Sequence, residues 1–147
     1  MTDVDRRQAA IRILLVDDNL LDAKATVHAA MKLRIANTID VVADGGAALD
    51  YLRRDPTETP RPDLVLLDLD LPGMDGRDVL ATMKSDPELR RIPVVILTTS
   101  ADEADVLTTY DLGANAFITK PGGLDGWLEV VSKIEGFWFT LVELPPK

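Results

Sequence analysis

Two four-residue runs, Leu64-Val65-Leu66-Leu67 and Val94-Val95-Ile96-Leu97, are apolar at every position. Side chains alternate between the two faces of a strand, so a strand with one wet face alternates apolar and polar. A run apolar on both faces needs cover above and below. That condition belongs to central strands of a parallel sheet with helices packed on each side. Three weaker runs, at 11–16, 39–43 and 116–119, supply further strands, and the two strongest extend to 63–67 and 93–97. Between them lie segments with charges at helical spacing, at 20–33, 47–54, 77–84, 103–112 and 124–134. Gly113 stops the fourth helical segment, and Pro56, Pro60 and Pro62 fill the loop after the second. Strand and helix alternating five times predict an α/β domain with a doubly wound parallel sheet.

The chain of 147 residues fits one such domain. No apolar run approaches the roughly 18 residues of a membrane helix, and the first twelve residues are too charged for a signal peptide. The absence of cysteine excludes thiolate chemistry and a disulfide scaffold, and suits the cytoplasm. A formal charge of −9 argues against nucleic acid as a partner, because affinity for a duplex rests on Lys and Arg neutralising phosphates.

In an open parallel sheet, ligands bind beyond the carboxyl ends of the strands. Those ends carry Asp17-Asp18 after the first strand and Asp68-Leu69-Asp70 after the third. Thr98-Thr99-Ser100 follow the fourth and Lys120-Pro121 the fifth. Carboxylates converging on one rim repel unless a cation joins them, and an oxygen-only set suits Mg²⁺. A hydroxyl and an ammonium beside them would suit a phosphoryl oxygen, one as donor and one as point charge. Asp can itself be the nucleophile that accepts a phosphoryl group. The rim therefore reads as a metal-assisted phosphoryl-accepting site.

This set resembles the receiver domain of two-component response regulators. Thr98 follows Asp68 by 30 residues and Lys120 by 52, the spacing of the chemotaxis receiver protein. Val16-Asp17-Asp18-Asn19, Leu66-Leu67-Asp68, Pro72-Gly73-Met74-Asp75-Gly76, Leu112-Gly113-Ala114 and Ile118-Thr119-Lys120-Pro121 are similar to its motifs. The likeness spans roughly 10–135. It implies the flavodoxin-like receiver fold, strand order 2-1-3-4-5, and phosphorylation of Asp68 by a histidine kinase. It also implies Mg²⁺ held by Asp18, Asp68 and the backbone carbonyl of Asp70, with Asp17 positioning the cation. Thr98 and Phe117 take the switch positions, and the Lys120–Pro121 bond is expected to be cis. Asp70 departs from the usual Asn, and its extra carboxylate is expected to face the site. Arg61 to Asp68, Ile92 to Ser100 and the tail Phe137-Trp138-Phe139 are further similar to the stand-alone regulators of bacterial phytochromes, which implies a phytochrome-type kinase.

Each residue also has a plainer reading. Asp17-Asp18 alone would pass for a solvated turn, Thr98 for a β-branched strand residue and Phe117 for core. His28, the lone histidine, reads as a surface or packing residue. Gly45-Gly46 and Gly122-Gly123 read as turns, because no Gly-x-x-x-x-Gly-Lys pattern surrounds either. Asp68-Leu69-Asp70 also resembles the Asp-x-Asp motif of haloacid-dehalogenase-type phosphatases. In those the acidic pair follows the lysine, whereas Asp17-Asp18 come first here. A receiver that drains phosphoryl groups from its kinase and a degenerate receiver acting as a scaffold are the remaining alternatives. The 27 residues after Lys120 leave room for one helix and a tail, so output is expected through association and not through an enzymatic activity. The tail at 136–147 reads as a dimerisation arm, with Phe137, Trp138, Phe139 and Leu141 as anchors of a homodimer.

Overall fold

The structure, a computed structural model, describes residues 11–33, 38–100, 102–137 and 145. In chain order the elements are β1 (Arg12–Val16), α1 (Leu20–Leu33), β2 (Thr38–Val42), α2 (Gly45–Leu52), β3 (Leu64–Leu67) and α3 (Gly76–Ser85). A single 3-10 turn (Leu89–Arg91) precedes β4 (Val94–Thr98), α4 (Glu103–Asp111), β5 (Ala116–Thr119) and α5 (Gly123–Ile134). All five strands are parallel, in the order β2-β1-β3-β4-β5. The doubly wound expectation is met. The helix starts differ by a residue or two for a local reason. Asp44 and Asp75 accept from the N–H groups of Ala47 and Arg77, and these caps open α2 and α3 at glycines one residue later. The 3-10 turn carries no periodicity that the sequence could reveal.

Every residue of β3 and β4 is buried, as their unbroken apolar character requires. Leu14, Val16, Val65, Leu67, Val94 and Ile96 face α2 and α3, where Leu52, Leu80 and Met83 meet them. Their strand neighbours Ile13, Leu15, Leu64, Leu66 and Val95 face the other way, toward Ala23 of α1 and Ile134 of α5. Leu97 packs with Ala29, Ala30 and Trp127 on that second side. α4 is the exception, because Thr109 is its sole buried residue and Leu107 and Tyr110 stay exposed. A sheet clamped on both faces gives its strand ends fixed positions, and those ends carry the rim.

Candidate functional site

The strand order reverses at β1 and β3, so their carboxyl ends flank a crevice. The backbone N–H groups of three rim residues continue the sheet ladder. Asp17 N–H donates to Val42 O at 3.0 Å, Asp68 N–H to Val16 O at 2.9 Å, and Lys120 N–H to Thr98 O at 2.7 Å. Gly76 completes the frame from below. A Cβ there would stand 2.7 Å from Leu69 Cα and closer still to the carbonyl oxygen of Asp68. The sequence therefore needs glycine at the start of α3 for that helix to lie against the loop after β3 that carries Asp68.

Asp17, Asp18 and Asp68 offer carboxylate oxygens within 4.8 Å of one another. Asp17 and Asp68 are buried and Asp18 is exposed, so the cluster opens to solvent on one side. Into it runs Lys120, whose side chain is 5% exposed. Its Nζ donates to Asp68 Oδ2 at 3.0 Å and to Asp22 Oδ2 at 2.9 Å. It also stands 2.9 Å from Asp17 Oδ2, an ion pair too oblique for a hydrogen bond. Asp17 Oδ1 accepts the Asn19 N–H at 2.9 Å. Burial raises the Asp17 carboxyl above its ordinary range, and Lys120 and the Asn19 N–H offset only part of that. Burial works to lower Lys120 as well, but Asp17, Asp22 and Asp68 outweigh it and hold the ammonium well above the ordinary lysine value. The Thr98 side chain is wholly buried and its Oγ1 has no hydrogen-bond partner among the described residues. A buried hydroxyl without a partner costs stability.

The structure thus brings Asp17, Asp18, Asp68, Thr98 and Lys120 to one end of the sheet. Asp70 is exposed, and its N–H donates to Asp68 Oδ1 at 3.3 Å. Phe117 is half-buried against the α2–α3 side of the core. Lys120–Pro121, like every peptide bond among the described residues, is trans, which corrects the cis expectation. The intrinsic preference of an X–Pro bond is also for trans. Phe137 is half-exposed, whereas Trp138, Phe139 and Leu141 lie outside the described residues. His28 is exposed.

Two features were missed in the sequence. Asp22, in the first turn of α1, reads there as an ordinary dipole-favoured acid, and nothing in a separation of 98 residues points to Lys120. The other lies beside the rim. Arg77 of α3 pairs with Asp105 of α4, and Ser100 Oγ donates to Asp105 Oδ2 at 2.6 Å. Ser100 and Arg77 together hold the Asp105 carboxyl below its ordinary range. A cleft of about 440 Å³ lies at the other pole, among Pro60, Pro62 and Pro93 at the strands' amino ends. It holds none of the rim residues and is not the candidate site.

Comparison with known proteins bears on the family. Residues 13–132 match the response regulator receiver domain. The response regulator Rcp1 of Synechocystis sp. is 42% identical over 135 residues, which span 90% of this chain and 92% of Rcp1. The crystal structure of its Mn²⁺-bound form has a TM-score of 0.84 at 41% identity, over 92% of this chain and 99% of that one. The phosphorylated cyanobacterial phytochrome response regulator RcpA is similar with a TM-score of 0.88 and 44% identity, over 94% of this chain and all of RcpA. The bacteriophytochrome response regulator RtBRR follows at 0.73 and 40%, over 93% of this chain and 85% of that one. A receiver relative thus holds a divalent metal, and the three-Asp cluster here has the oxygen donors for one. With fold, rim and likeness in agreement, this chain belongs to the response regulator receiver domain family of two-component signalling proteins.

Proposed function

We propose that this protein accepts a phosphoryl group on Asp68 from a phytochrome-type histidine kinase in the cytoplasm, and that its output is association with other proteins. The observation that carries the reading is the Asp68 carboxylate, buried between two further aspartates and hydrogen-bonded by Lys120. The phytochrome partner is supported by the likeness to RcpA and RtBRR. Asp17, Asp18, Asp68 and the backbone carbonyl of Asp70 would hold Mg²⁺. When bound, the cation neutralises both the carboxylates and the oxygens of the incoming phosphoryl group.

The chain's own residues supply the rest. Asp68 presents the nucleophilic oxygen, and Lys120 offsets charge on the acceptor. The unpartnered Thr98 hydroxyl would donate to a phosphoryl oxygen, and that pull on β4 would reach α4 and Phe117 on β5. No activity toward other substrates is needed. The phosphatase alternative is disfavoured, since the acidic pair comes first in the chain and is built into the receiver crevice. We further propose a homodimer in which Phe137, Trp138, Phe139 and Leu141 act as anchors.

Labelling with acetyl phosphate, followed by intact mass and peptide mapping, tests the central claim. A single phosphoryl adduct at Asp68 is expected with Mg²⁺ and none in EDTA. Equal labelling in EDTA, or an adduct persisting on the same peptide of Asp68→Asn, would refute it.

A further inference from the structure

We propose that Asp22 is a positioning residue for Lys120, which it engages alongside Asp68, and that this competition for the ammonium slows phosphoryl acceptance. The proposal rests on the reading of Asp68 as the acceptor. Lys120 Nζ makes two hydrogen bonds among the described residues, one to Asp22 and one to Asp68, at 2.9 and 3.0 Å. Asp17 adds an ion pair at 2.9 Å. Three carboxylates therefore share an ammonium that has three protons.

Phosphoryl transfer changes that balance. A carboxylate oxygen of Asp68 forms a bond to phosphorus as the bond from phosphorus to the leaving group breaks, and the leaving group departs with the electron pair. In acetyl phosphate the leaving group is acetate. Three phosphoryl oxygens then need donors where one carboxylate oxygen stood. The third ammonium proton can serve one of them, and Lys120 can serve a second only by loosening an existing contact. Asp22 is the contact released at least cost, since its side chain is 24% exposed against 1% for Asp17 and 7% for Asp68. Water replaces a lost partner at Asp22, and has little access to the other two.

The backbone of Asp22 is secured without its carboxylate. Its N–H donates to the Asn19 side chain at 3.1 Å, and its carbonyl accepts from the Thr26 hydroxyl at 2.8 Å. The Asp22 carboxylate is therefore not required to start α1, and its contact with Lys120 is the bond a substitution removes. Neutralising Asp22 makes a second ammonium proton available to the phosphoryl group.

The test is acetyl phosphate labelling of the full chain with Mg²⁺ at sub-saturating donor, comparing wild type, Asp22→Asn and Asp22→Ser. Both variants are expected to label about ten-fold faster, the low end of the scale of one hydrogen bond to a charged group. The same substitutions are then made in a Lys120→Met background, where the acceleration is expected to vanish because Asp22 acts through Lys120. A second readout needs no phosphoryl group. The Lys120 ammonium signal in ¹⁵N NMR, assigned by its loss in Lys120→Met, is expected to shift and exchange faster in Asp22→Asn. Unchanged labelling, or equal acceleration without Lys120, overturns the proposal, the latter by showing that bare charge repulsion suffices. An unmoved ammonium signal overturns it too. Failure of the wild type itself to label overturns the Asp68 reading, and with it this one.

Discussion

Lys120 stands among Asp17, Asp22 and Asp68 with almost no access to water, so its charge and theirs are each other's main compensation. Removing one member of a buried charged group strands the others, a change that typically costs about 3–5 kcal/mol. Lys120→Met is therefore expected to lower stability by about 3 kcal/mol in EDTA, measured by urea unfolding. Millimolar Mg²⁺ should recover much of that loss, because a hard cation at the same carboxylates replaces the missing ammonium. A variant as stable as wild type in EDTA would mean that Lys120 contributes little to the charge balance of the rim. Thr98 presents the opposite case, a hydroxyl that the resting structure leaves without a partner.

Among the elements, α4 is attached differently from the rest. α1 and α5 bury alanines, Trp127, Val131 and Ile134 against the sheet, while α4 buries Thr109 alone and is tied at its first turn by Asp105 to Arg77 and Ser100. A helix held by polar ties next to the β4 end is easier to shift than one held by packing. α2 has a polar tie of its own. The Tyr51 hydroxyl donates to Asp40 of β2, and burial together with that bond raises the phenol to about 12. A phenol raised in the folded state contributes stability that is complete below its ordinary value of 10.0 and is lost as pH climbs toward about 12. Tyr51→Phe is expected to cost about 1 kcal/mol at pH 8, with the gap to wild type shrinking above pH 10. Urea unfolding across that range checks it, and a constant gap would contradict the role given to the hydroxyl.

For the molecule as a whole, the two poles of the sheet differ in chemistry. The carboxyl end gathers the charge, and the amino end carries a cleft walled by Pro56, Pro60, Pro62, Pro87 and Pro93. Pro145 of the tail also lines that cleft, so this point of the tail meets its own domain. Phe137, at the exit of α5, is half-exposed. If aromatic anchors there pair two copies, truncation after Glu135 should convert a dimer to a monomer by light scattering at micromolar concentration. Equal masses for both chains would leave the tail as packing on its own domain.

The strands, helices and most of the rim were legible because their signals are local. Unbroken apolar runs announced a sheet covered on both faces, and Asp68, Thr98 and Lys120 each sit at a strand end that such a sheet turns toward one crevice. Their clustering follows from parallel strands alone, since every carboxyl end then lies on the same side. Asp22 and the Arg77–Asp105 tie were not legible, because each joins side chains on different elements with no periodic or motif signal between them. The burial of the Thr98 hydroxyl likewise depends on neighbours that only the packed chain brings near. Sequence by itself determined which backbone groups form the sheet and which residues end its strands. Tertiary structure decided which charges share one ammonium, because that depends on distances between elements far apart in the chain.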